Sequence, residues 1–318
     1  MAAPIDRRTV AVAVTARTSD VTVTVTPDTS KAAGTTDPGK QVDFLTRVLP
    51  WPKDEELGFC NLHWRTPSKR DAKKMIWRGR PTRTVDDFRS QMKWLSNVTT
   101  ATDIYMCMSR QGRCEPDNYG KQKAIRSKAD ALALKAIWLD VDIKDPPKGY
   151  ASLEEAIIAI TVFVKAARLP PASALIGSGN GLHCYWISKT PLSPDEWQPY
   201  VEGLKTAAIQ HGLRCDAGVT TDAARVLRVP GTFNYKTNPP RPVRLLYLGN
   251  DYDFSADLAQ LAVPVAPTIT ATVKAANVIP FPFDLSKFPK RPIPPRGSRA
   301  WPRALSARSY HRSTRVQY

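Results

Sequence analysis

The chain has few cysteines, few acids and no long hydrophobic run. Its five cysteines in 318 residues are an odd and sparse set, which argues against a disulfide framework and predicts reduced thiols in a cytoplasmic protein. No segment approaches the roughly 18 continuous apolar residues that span a bilayer, so we expect no membrane partner. Secreted disulfide scaffolds and helical membrane proteins are therefore not the classes that this composition indicates.

The shortage of acids leaves a large positive charge. Aspartate and glutamate total 29 against 46 lysines and arginines, which gives a net charge of +17 and a pI of about 9.8. A surplus of this sign favours a polyanionic partner, and nucleic acid is the first candidate. A basic protein without such a partner is the alternative, because net charge alone says nothing about fold. With 42% hydrophobic residues, the chain can bury a substantial core.

Composition divides the chain into three parts. Residues 1–40 predict a flexible leader, although the Val/Thr alternation at 20–26 also fits a strand. Residues 41–265 alternate apolar runs with polar turns, as expected of a mixed α+β domain. Residues 266–318 are rich in Pro and Arg, which predicts a disordered basic tail.

Hydrophobic periodicity predicts the elements of the central part. Candidate strands are 103–108, 135–143, 172–177, 182–188 and 243–248. Candidate helices are 84–96, 152–168, 194–211 and 221–228. Ser152, followed three residues later by Glu155, has the capping-box spacing and predicts the start of one of these helices.

Two acids interrupt the apolar run KAIWLDVDIK at 135–144. Since side chains alternate across a strand, Asp140 and Asp142 share one face, about 6–7 Å apart. Carboxylate oxygens at such a spacing suit Mg²⁺ or Mn²⁺. The alternative is a strand end with solvated acids, so further motifs are needed to decide.

A glycine-rich turn, Ser178-Gly-Asn-Gly181, runs into an apolar segment that contains His183. Glycines let backbone N–H groups approach phosphate oxygens, and His183 is placed to donate a hydrogen bond to a phosphate. A tight hairpin explains the turn equally well, and a hydrogen-bonded core histidine explains His183.

A third motif combines acids with a basic run between residues 214 and 236. Thr221 is a candidate cap for a short helix that would carry Arg225 and Arg228 on one face. Arginine binds phosphate with two parallel hydrogen bonds and lysine binds it as a point charge, so these arginines and Lys236 predict a triphosphate cradle. Asp216 and Asp222 are both candidates for a third metal-binding acid.

Taken together and in this order, these motifs resemble those of the archaeo-eukaryotic primase superfamily. The similarity is strongest to the primase-polymerase domains of plasmids, phages and other mobile elements, and it covers about residues 41–250. The residues that carry it are Asp140-x-Asp142, Ser178-Gly-Asn-Gly-Leu-His183, and Asp216 with Arg225 and Arg228-Val-Pro-Gly-Thr-Phe-Asn-Tyr-Lys236. The resemblance implies an α+β core with an RRM-like sheet flanked by helices, two divalent metals (Mg²⁺ or Mn²⁺) and an NTP or dNTP substrate.

The resemblance also implies a role for each matching residue. Asp140, Asp142 and Asp216 would be the catalytic metal ligands, with Asp222 in reserve as the third. The residues that would hold the nucleotide are Ser178, Gly179, Asn180, Gly181, His183, Arg225, Arg228 and Lys236. The implied reaction is DNA-templated nucleotidyl transfer, by a two-metal mechanism, for primer synthesis or extension in the replication of a mobile element.

A basic segment with tryptophan is the candidate template surface. Cations that follow the nucleic-acid backbone and rings that stack on bases are typical of single-strand binding. The residues are Lys73, Lys74, Trp77, Arg78, Arg126 and Lys128. The alternative is a solvated basic loop with its tryptophans in the core. Cys60, His63, Cys107 and Cys114 do not fit a strong zinc signature, and we do not expect zinc.

Rival functions predict different chemistry. A non-catalytic single-strand or origin DNA-binding replication protein would bind DNA whether or not Mg²⁺ or Mn²⁺ is present. A metal-dependent nuclease shares clustered acids but does not need the basic cradle. The family domain is often fused to a helicase, and here we expect any helicase to be a separate partner.

Overall fold

The computed structural model of this protein describes residues 13–17, 20–24, 37–71, 74–98 and 102–262. Most of the predicted leader, the whole of the predicted tail at 266–318 and Lys73 lie outside the described residues. Strand β1 (Ala13–Arg17) pairs antiparallel with β2 (Asp20–Thr24), which covers most of the Val/Thr alternation. Within the described part, no helix combines the length and apolar character needed to cross a membrane.

The elements alternate along the chain as a mixed α+β domain. The further strands are β3 (Phe59–Pro67), β4 (Met75–Thr82), β5 (Ile104–Gln111), β6 (Cys114–Pro116), β7 (Gln122–Ala124), β8 (Ala131–Asp142), β9 (Ala174–Gly177), β10 (Gly181–Leu192), β11 (Val226–Arg228), β12 (Phe233–Asn234), β13 (Arg241–Pro242) and β14 (Arg244–Leu248). The helices are α1 (Pro38–Val48), α2 (Val85–Ser96), α3 (Leu153–Ala166), α4 (Pro194–Gln210), α5 (Ala217–Thr220), α6 (Phe254–Asp257) and α7 (Ala259–Ala262).

One large antiparallel sheet, flanked by helices, organises the fold. Its strand order is β14-β9-β10-β8-β5-β3-β4, and β11 pairs with β5 off this path. Helix α1 packs against β14, β10 and β8, whereas α2 packs against β3 and β4. Helix α3 packs against β10, and α4 packs against β8, α5 and α7. The predicted α+β fold class is therefore confirmed.

Helix starts follow local capping chemistry. The Ser152 hydroxyl accepts a hydrogen bond from the Glu155 N–H at 3.1 Å, as the spacing predicts. Glu155 reaches back to the Ala151 N–H at 3.0 Å rather than to that of Ser152. Ser193 and Glu196 form the reciprocal capping box at the start of α4. Polar residues at these positions therefore decide where α3 and α4 begin.

The core is one continuous apolar cluster in which the large aromatic side chains are also hydrogen-bonded. The Trp138 indole N–H donates to the Val219 carbonyl at 3.0 Å, and the Trp197 N–H donates to the Ala136 carbonyl at 2.8 Å. Buried tryptophans need such partners. These bonds tie α4 and α5 to β8, the strand that carries the two acids.

Strand β5 changes partner along its length, and this split positions the third motif. Its second half pairs with β8 from Ser109 to Gln111, whereas its first half pairs with β11. The prediction of a helix at 221–228 is wrong, because residues 221–225 form a turn and β11 occupies Val226–Arg228. This segment forms hydrogen bonds with backbone groups of β5 that β8 leaves unpaired. The Met108 N–H, for example, donates to the Arg225 carbonyl at 2.9 Å. Tertiary pairing thus overrides the local helical pattern.

Candidate active site

Asp140 and His183 face each other across neighbouring strands. They are directly paired in the β8–β10 register, so both side chains lie on the same side of the sheet. The distance from His183 Nε2 to Asp140 Oδ1 is 3.7 Å, and Tyr185 Oη lies 3.3 Å from His183 Nδ1. The first and second sequence motifs therefore meet at this pair.

The third motif is fixed to the first through the backbone. Asp216 N–H donates to the Asp140 carbonyl at 2.9 Å. The Asp216 side chain caps α5 by accepting from Gly218 N–H at 3.1 Å and Val219 N–H at 3.3 Å. The reserve acid Asp222 instead accepts from the Ala224 N–H at 3.1 Å.

The charges of Asp142 and Asp216 both act on Asp140. Burial, and then these two neighbouring carboxylates, raise the pKa of Asp140 to about 6, while Arg225 and Arg228 act in the opposite direction. The Asp222 charge instead acts on Cys107. Asp216 is therefore the acid that the structure brings to Asp140.

His183 is neutral at physiological pH. Burial, and then the positive charges of Arg228 and Arg225, lower the pKa of His183 to about 3. A neutral imidazole carries one N–H. We assign it to Nε2, which lies 3.7 Å from Asp140 Oδ1, so that Nδ1 accepts from the Tyr185 hydroxyl at 3.3 Å. His183 thus contributes a directed N–H and no charge.

The acids fit a divalent cation in chemistry but do not close around one as they are oriented. Within the residues that the structure describes, no group of three or more His, Cys, Asp or Glu side chains is placed to hold a metal ion. Asp142 Oδ2 is 2.5 Å from Lys144 Nζ, and Asp216 is engaged as a helix cap. The donor set nevertheless consists of hard oxygens whose mutual repulsion raises the pKa of Asp140, which is the environment that Mg²⁺ or Mn²⁺ would relieve.

The two predicted phosphate-binding arginines lie on an extended segment, not on one helix face. Arg225 Nη2 is 3.8 Å from Asp140 Oδ2, its side chain is 33% exposed, and its buried Nε has no hydrogen-bond partner. Arg228 is buried and donates from Nε and Nη2 to Asp103 at 3.2 and 3.0 Å. The positive charges of both arginines lower the pKa values of Asp140 and His183. Both arginines therefore lie near these residues, although they do not share a helix as predicted.

The glycine-rich turn is a tight hairpin between β9 and β10. Ser178 N–H donates to the Gly181 carbonyl at 2.8 Å. Gly179 has φ +88°, and a Cβ there would lie 2.8 Å from the Asn234 Cβ. The Asn234 amide donates to the Ser178 carbonyl at 2.9 Å, and Arg241 donates to the Gly179 carbonyl at 3.2 Å. Glycine is therefore required here for the close approach of the 234–241 region.

Asn180, in the turn, and Lys236, in the predicted triphosphate cradle, are the remaining predicted nucleotide-binding residues. Asn180 Oδ1 accepts from Arg241 at 2.5 Å. Lys236 is exposed, and its backbone N–H donates to Asn234 Oδ1 at 3.1 Å. Sequence reasoning assigned no role to Asp103 or Arg241, because each lies outside the three motifs and contacts them only in the folded chain.

The candidate template surface lies partly on strand β4, which the sequence did not predict as a strand. Trp77 is 46% exposed, its ring is 5.0 Å from that of Tyr105, and the Arg126 guanidinium lies 5.6 Å from its centroid. Lys74, Arg78 and Lys128 are exposed as well. Tyr105 also stacks with Arg228, at 5.2 Å, so aromatic and cationic groups connect Trp77 to the surroundings of Asp140. Trp64, in contrast, is only 7% exposed and lies in the core, as the alternative interpretation predicts.

Solved structures of a primase-polymerase, a primase and a polymerase domain are similar to this chain at low sequence identity. The AEP domain of the cyanophage S-2L primase-polymerase matches with a TM-score of 0.45 and 16% identity, over 71% of this chain and 98% of that one. Primase RepB′ matches with a TM-score of 0.39 and 12% identity, over 64% of this chain and 57% of that one. The polymerase domain of Mycobacterium tuberculosis Ligase D, in complex with DNA, matches with a TM-score of 0.38 and 13% identity, over 65% and 78% of the two chains.

No protein-family model matches the sequence, and no curated protein is similar to it. At TM-scores below 0.5 the structural similarities carry no functional argument of their own. The function is therefore argued from the residues of the site.

Proposed function

We propose that this protein is a divalent-metal-dependent DNA primase-polymerase, which transfers nucleotides to a primer or first nucleotide on a single-stranded DNA template. Its biological setting would be the replication of a plasmid, phage or other mobile element. The observation that carries the proposal is the surroundings of Asp140. Burial, and then acids from two motifs, raise the pKa of this carboxylate to about 6, and arginines and a neutral histidine lie beside it.

Each half of this arrangement matches one need of phosphoryl transfer. Asp140, Asp142 and Asp216 would hold Mg²⁺ or Mn²⁺, which when bound supplies the Lewis acidity that the reaction needs. The protein otherwise contributes placement and charge. A nuclease would use the acids alone, whereas the nearby arginines provide for a substrate that carries several phosphates.

The basic residues would position the nucleotide. Arg225 is the cation nearest to Asp140 and is partly exposed, so it can turn from the carboxylate to a phosphate. His183 Nε2 lies 3.7 Å from Asp140 Oδ1, so the neutral imidazole would border the nucleotide's phosphates beside that carboxylate. Lys236 would add a point charge from the exposed segment after Asn234. The Ser178–Gly181 turn, held by Asn234 and Arg241, would form the rigid border of the nucleotide site.

Trp77 and Arg126 would bind the template. An exposed ring with a guanidinium stacked on it offers a base a π-face and a phosphate a cation. The ring contact with Tyr105 and the stacking of Tyr105 with Arg228 connect this surface to the nucleotide site. Template base and incoming nucleotide would therefore meet near Asp140.

The test is synthesis on a single-stranded template with labelled NTPs or dNTPs and Mg²⁺ or Mn²⁺, with and without a primer. We expect metal-dependent products from the wild type and at least a thousandfold loss, roughly, in Asp140→Ala/Asp142→Ala, because metal ligands act as a unit. The control is Asp54→Ala/Glu55→Ala, which removes two acids that are exposed at the surface. It should retain wild-type activity.

Two results would replace the proposal. If the wild type binds the template equally well with and without metal and makes no product, the protein is a non-catalytic DNA-binding replication protein. If the metal produces cleavage of the template instead of synthesis, the acids serve a nuclease. Products formed without a primer would identify a true primase, and products formed only with one would identify an extension polymerase.

A further inference from the structure

Asp103 is a buried acid that none of the three sequence motifs contains. It lies directly before β5 and is 3% exposed. Its Oδ1 accepts hydrogen bonds from Arg228 Nε at 3.2 Å, Arg228 Nη2 at 3.0 Å and the Tyr235 backbone N–H at 3.1 Å. Its Oδ2 lies 3.8 Å from Arg65 Nη1. Three residues from different parts of the chain therefore converge on one carboxylate.

This carboxylate determines how Arg228 is oriented. Two nitrogens of the guanidinium are engaged by Asp103, and Nη2 also donates to the Tyr105 hydroxyl at 3.3 Å. The guanidinium carbon lies 5.2 Å from the centre of the Tyr105 ring, which fixes the plane of the group from a second direction. Nη1 is the nitrogen that these described contacts leave for a ligand.

The same carboxylate also anchors the segment that borders the nucleotide site. The hydrogen bond from Tyr235 N–H holds the residue that follows Asn234, and Asn234 in turn holds the hairpin turn through the Ser178 carbonyl. Asp103 thus joins β11, the 233–236 segment and, through Asn234, the glycine-rich turn. Asp103 is the acid that bonds to both Arg228 and this segment.

Charge balance at this carboxylate favours a ligand of negative charge. Asp103 compensates a single positive charge, yet Arg65 and Arg228 both lie within ion-pair distance of it. The positive charge of Arg228 also lowers the pKa of Asp140 and of His183. An ordered arginine fork with charge left over is suited to a phosphate group.

We infer that Asp103 is a positioning residue for the nucleotide: it orders Arg228 and the 233–236 segment so that both meet a nucleoside triphosphate at the Asp140 centre. The inference rests on the proposed function, because the ligand is the substrate of that reaction. Asp103 acts through Arg228 and does not itself touch the substrate. Its effect should therefore appear in nucleotide binding and should depend on Arg228.

The test compares Asp103→Asn, Arg228→Lys and the double variant in primer extension at saturating template and metal. Asp103→Asn keeps an acceptor oxygen but removes the negative charge. Arg228→Lys keeps the positive charge but removes the forked N–H donors of the guanidinium. We expect each single variant to raise the KM for the nucleotide about tenfold, the loss typical of a hydrogen bond to a charged group, with a smaller change in kcat. The double variant should be no worse than Arg228→Lys, because the two residues act as one unit.

Arg65→Lys is the matched control, because Arg65 approaches the other carboxylate oxygen at 3.8 Å and the variant keeps its charge. Its KM should stay within about threefold of wild type. Independent, multiplicative effects of Asp103→Asn and Arg228→Lys would overturn the inference, as would an unchanged KM in a folded Asp103→Asn protein.

If Asp103→Asn does not fold, Tyr105→Phe removes only the hydroxyl that accepts from Arg228. A rise of about threefold in KM, absent on the Arg228→Lys background, supports the inference, and an unchanged KM refutes it. If the wild type makes no product at all, the proposed function fails. Equilibrium binding of a nucleoside triphosphate then tests Asp103 separately, through the same variants.

Discussion

The two sides of the candidate site are held in different ways. On the acidic side, formed by Asp140, Asp142 and Asp216, burial and then repulsion from the other two carboxylates raise the pKa of Asp140 to about 6. On the basic side, Arg228 is bound by Asp103 through two hydrogen bonds and by the Tyr105 hydroxyl. One side is therefore under electrostatic strain in the folded chain, whereas on the other side an acid of the chain itself holds Arg228 in place.

The difference indicates which kind of ligand each side is suited to bind. Like charges held together repel one another, and the metal ion of the proposed function would relieve that repulsion. The basic side is ordered beforehand, which lowers the entropy that a ligand must lose on binding. Arg225 is intermediate, since it lies 3.8 Å from Asp140 while its buried Nε has no partner. Three predictions test this contrast between the acidic and the basic side.

The largest effect is expected from the choice of the third acid. Asp216→Asn should lower metal-dependent synthesis by about a hundredfold or more, because it removes a carboxylate from a unit of ligands. Asp222→Asn is a matched control, since both acids accept backbone N–H groups and asparagine preserves that cap. Its activity should stay within about threefold of wild type. The measurement is initial rate against metal concentration.

The reverse pattern of activity losses would change the assignment of the third metal-binding acid. If Asp222→Asn loses activity and Asp216→Asn does not, the reserve acid is the ligand, and Asp222 must reach Asp140 by a rearrangement of the 221–225 turn. Equal losses would indicate that the turn matters through its fold, which a comparison of thermal midpoints would show.

Much of the acidic side could be predicted from sequence because it depends on local periodicity. Alternation along one strand is enough to place Asp140 and Asp142 on a shared face, and a capping residue is enough to start α3 at Leu153. The strands around 135–143 and 182–188 are confirmed as β8 and β10, and their register brings His183 opposite Asp140. Only that register required the structure.

The basic side could not be predicted in the same way, because it depends on distant pairing. The 221–228 segment has helical spacing of its arginines, yet the unpaired edge of β5 draws Val226–Arg228 into the sheet. Asp103 is 125 residues from Arg228 along the chain, and no local pattern marks it. Strands β3 and β4 are likewise missing from the sequence prediction, which treats the basic residues and Trp77 of β4 as a template surface or, alternatively, as part of a solvated loop.

A smaller effect is expected on stability. Because the folded-state pKa of Asp140 is raised from 3.8 to about 6, the folded protein binds protons more tightly than the unfolded chain between these values. The contribution of Asp140 to stability therefore falls as pH rises through this window, and the full penalty is present above pH about 6. Asp140→Asn should raise the free energy of unfolding at pH 7 by about 1–3 kcal/mol, although it abolishes activity.

The gain should disappear at acid pH, where Asp140 is already protonated in the wild type. Denaturant unfolding of both proteins at pH 7 and near pH 4 measures it, with Asp222→Asn as the variant that should gain nothing at either pH. An equal change at both pH values would mean that asparagine acts through packing. The acidic side would then not be strained by charge.

The smallest effect is expected at Lys144, whose ammonium lies 2.5 Å from Asp142 Oδ2 with a 55% exposed side chain. Such an exposed ion pair contributes little to stability, but it occupies an oxygen that a metal ion needs. Lys144→Gln should therefore lower the metal concentration for half-maximal activity by about two- to fivefold at unchanged kcat. Lys148→Gln, at an exposed position in the same loop, should change neither. If Lys144→Gln instead raises the metal requirement, the lysine holds Asp142 in its productive orientation. In that case the acidic side is ordered by an ion pair in the same way as Arg228, and the contrast between the two sides is lost.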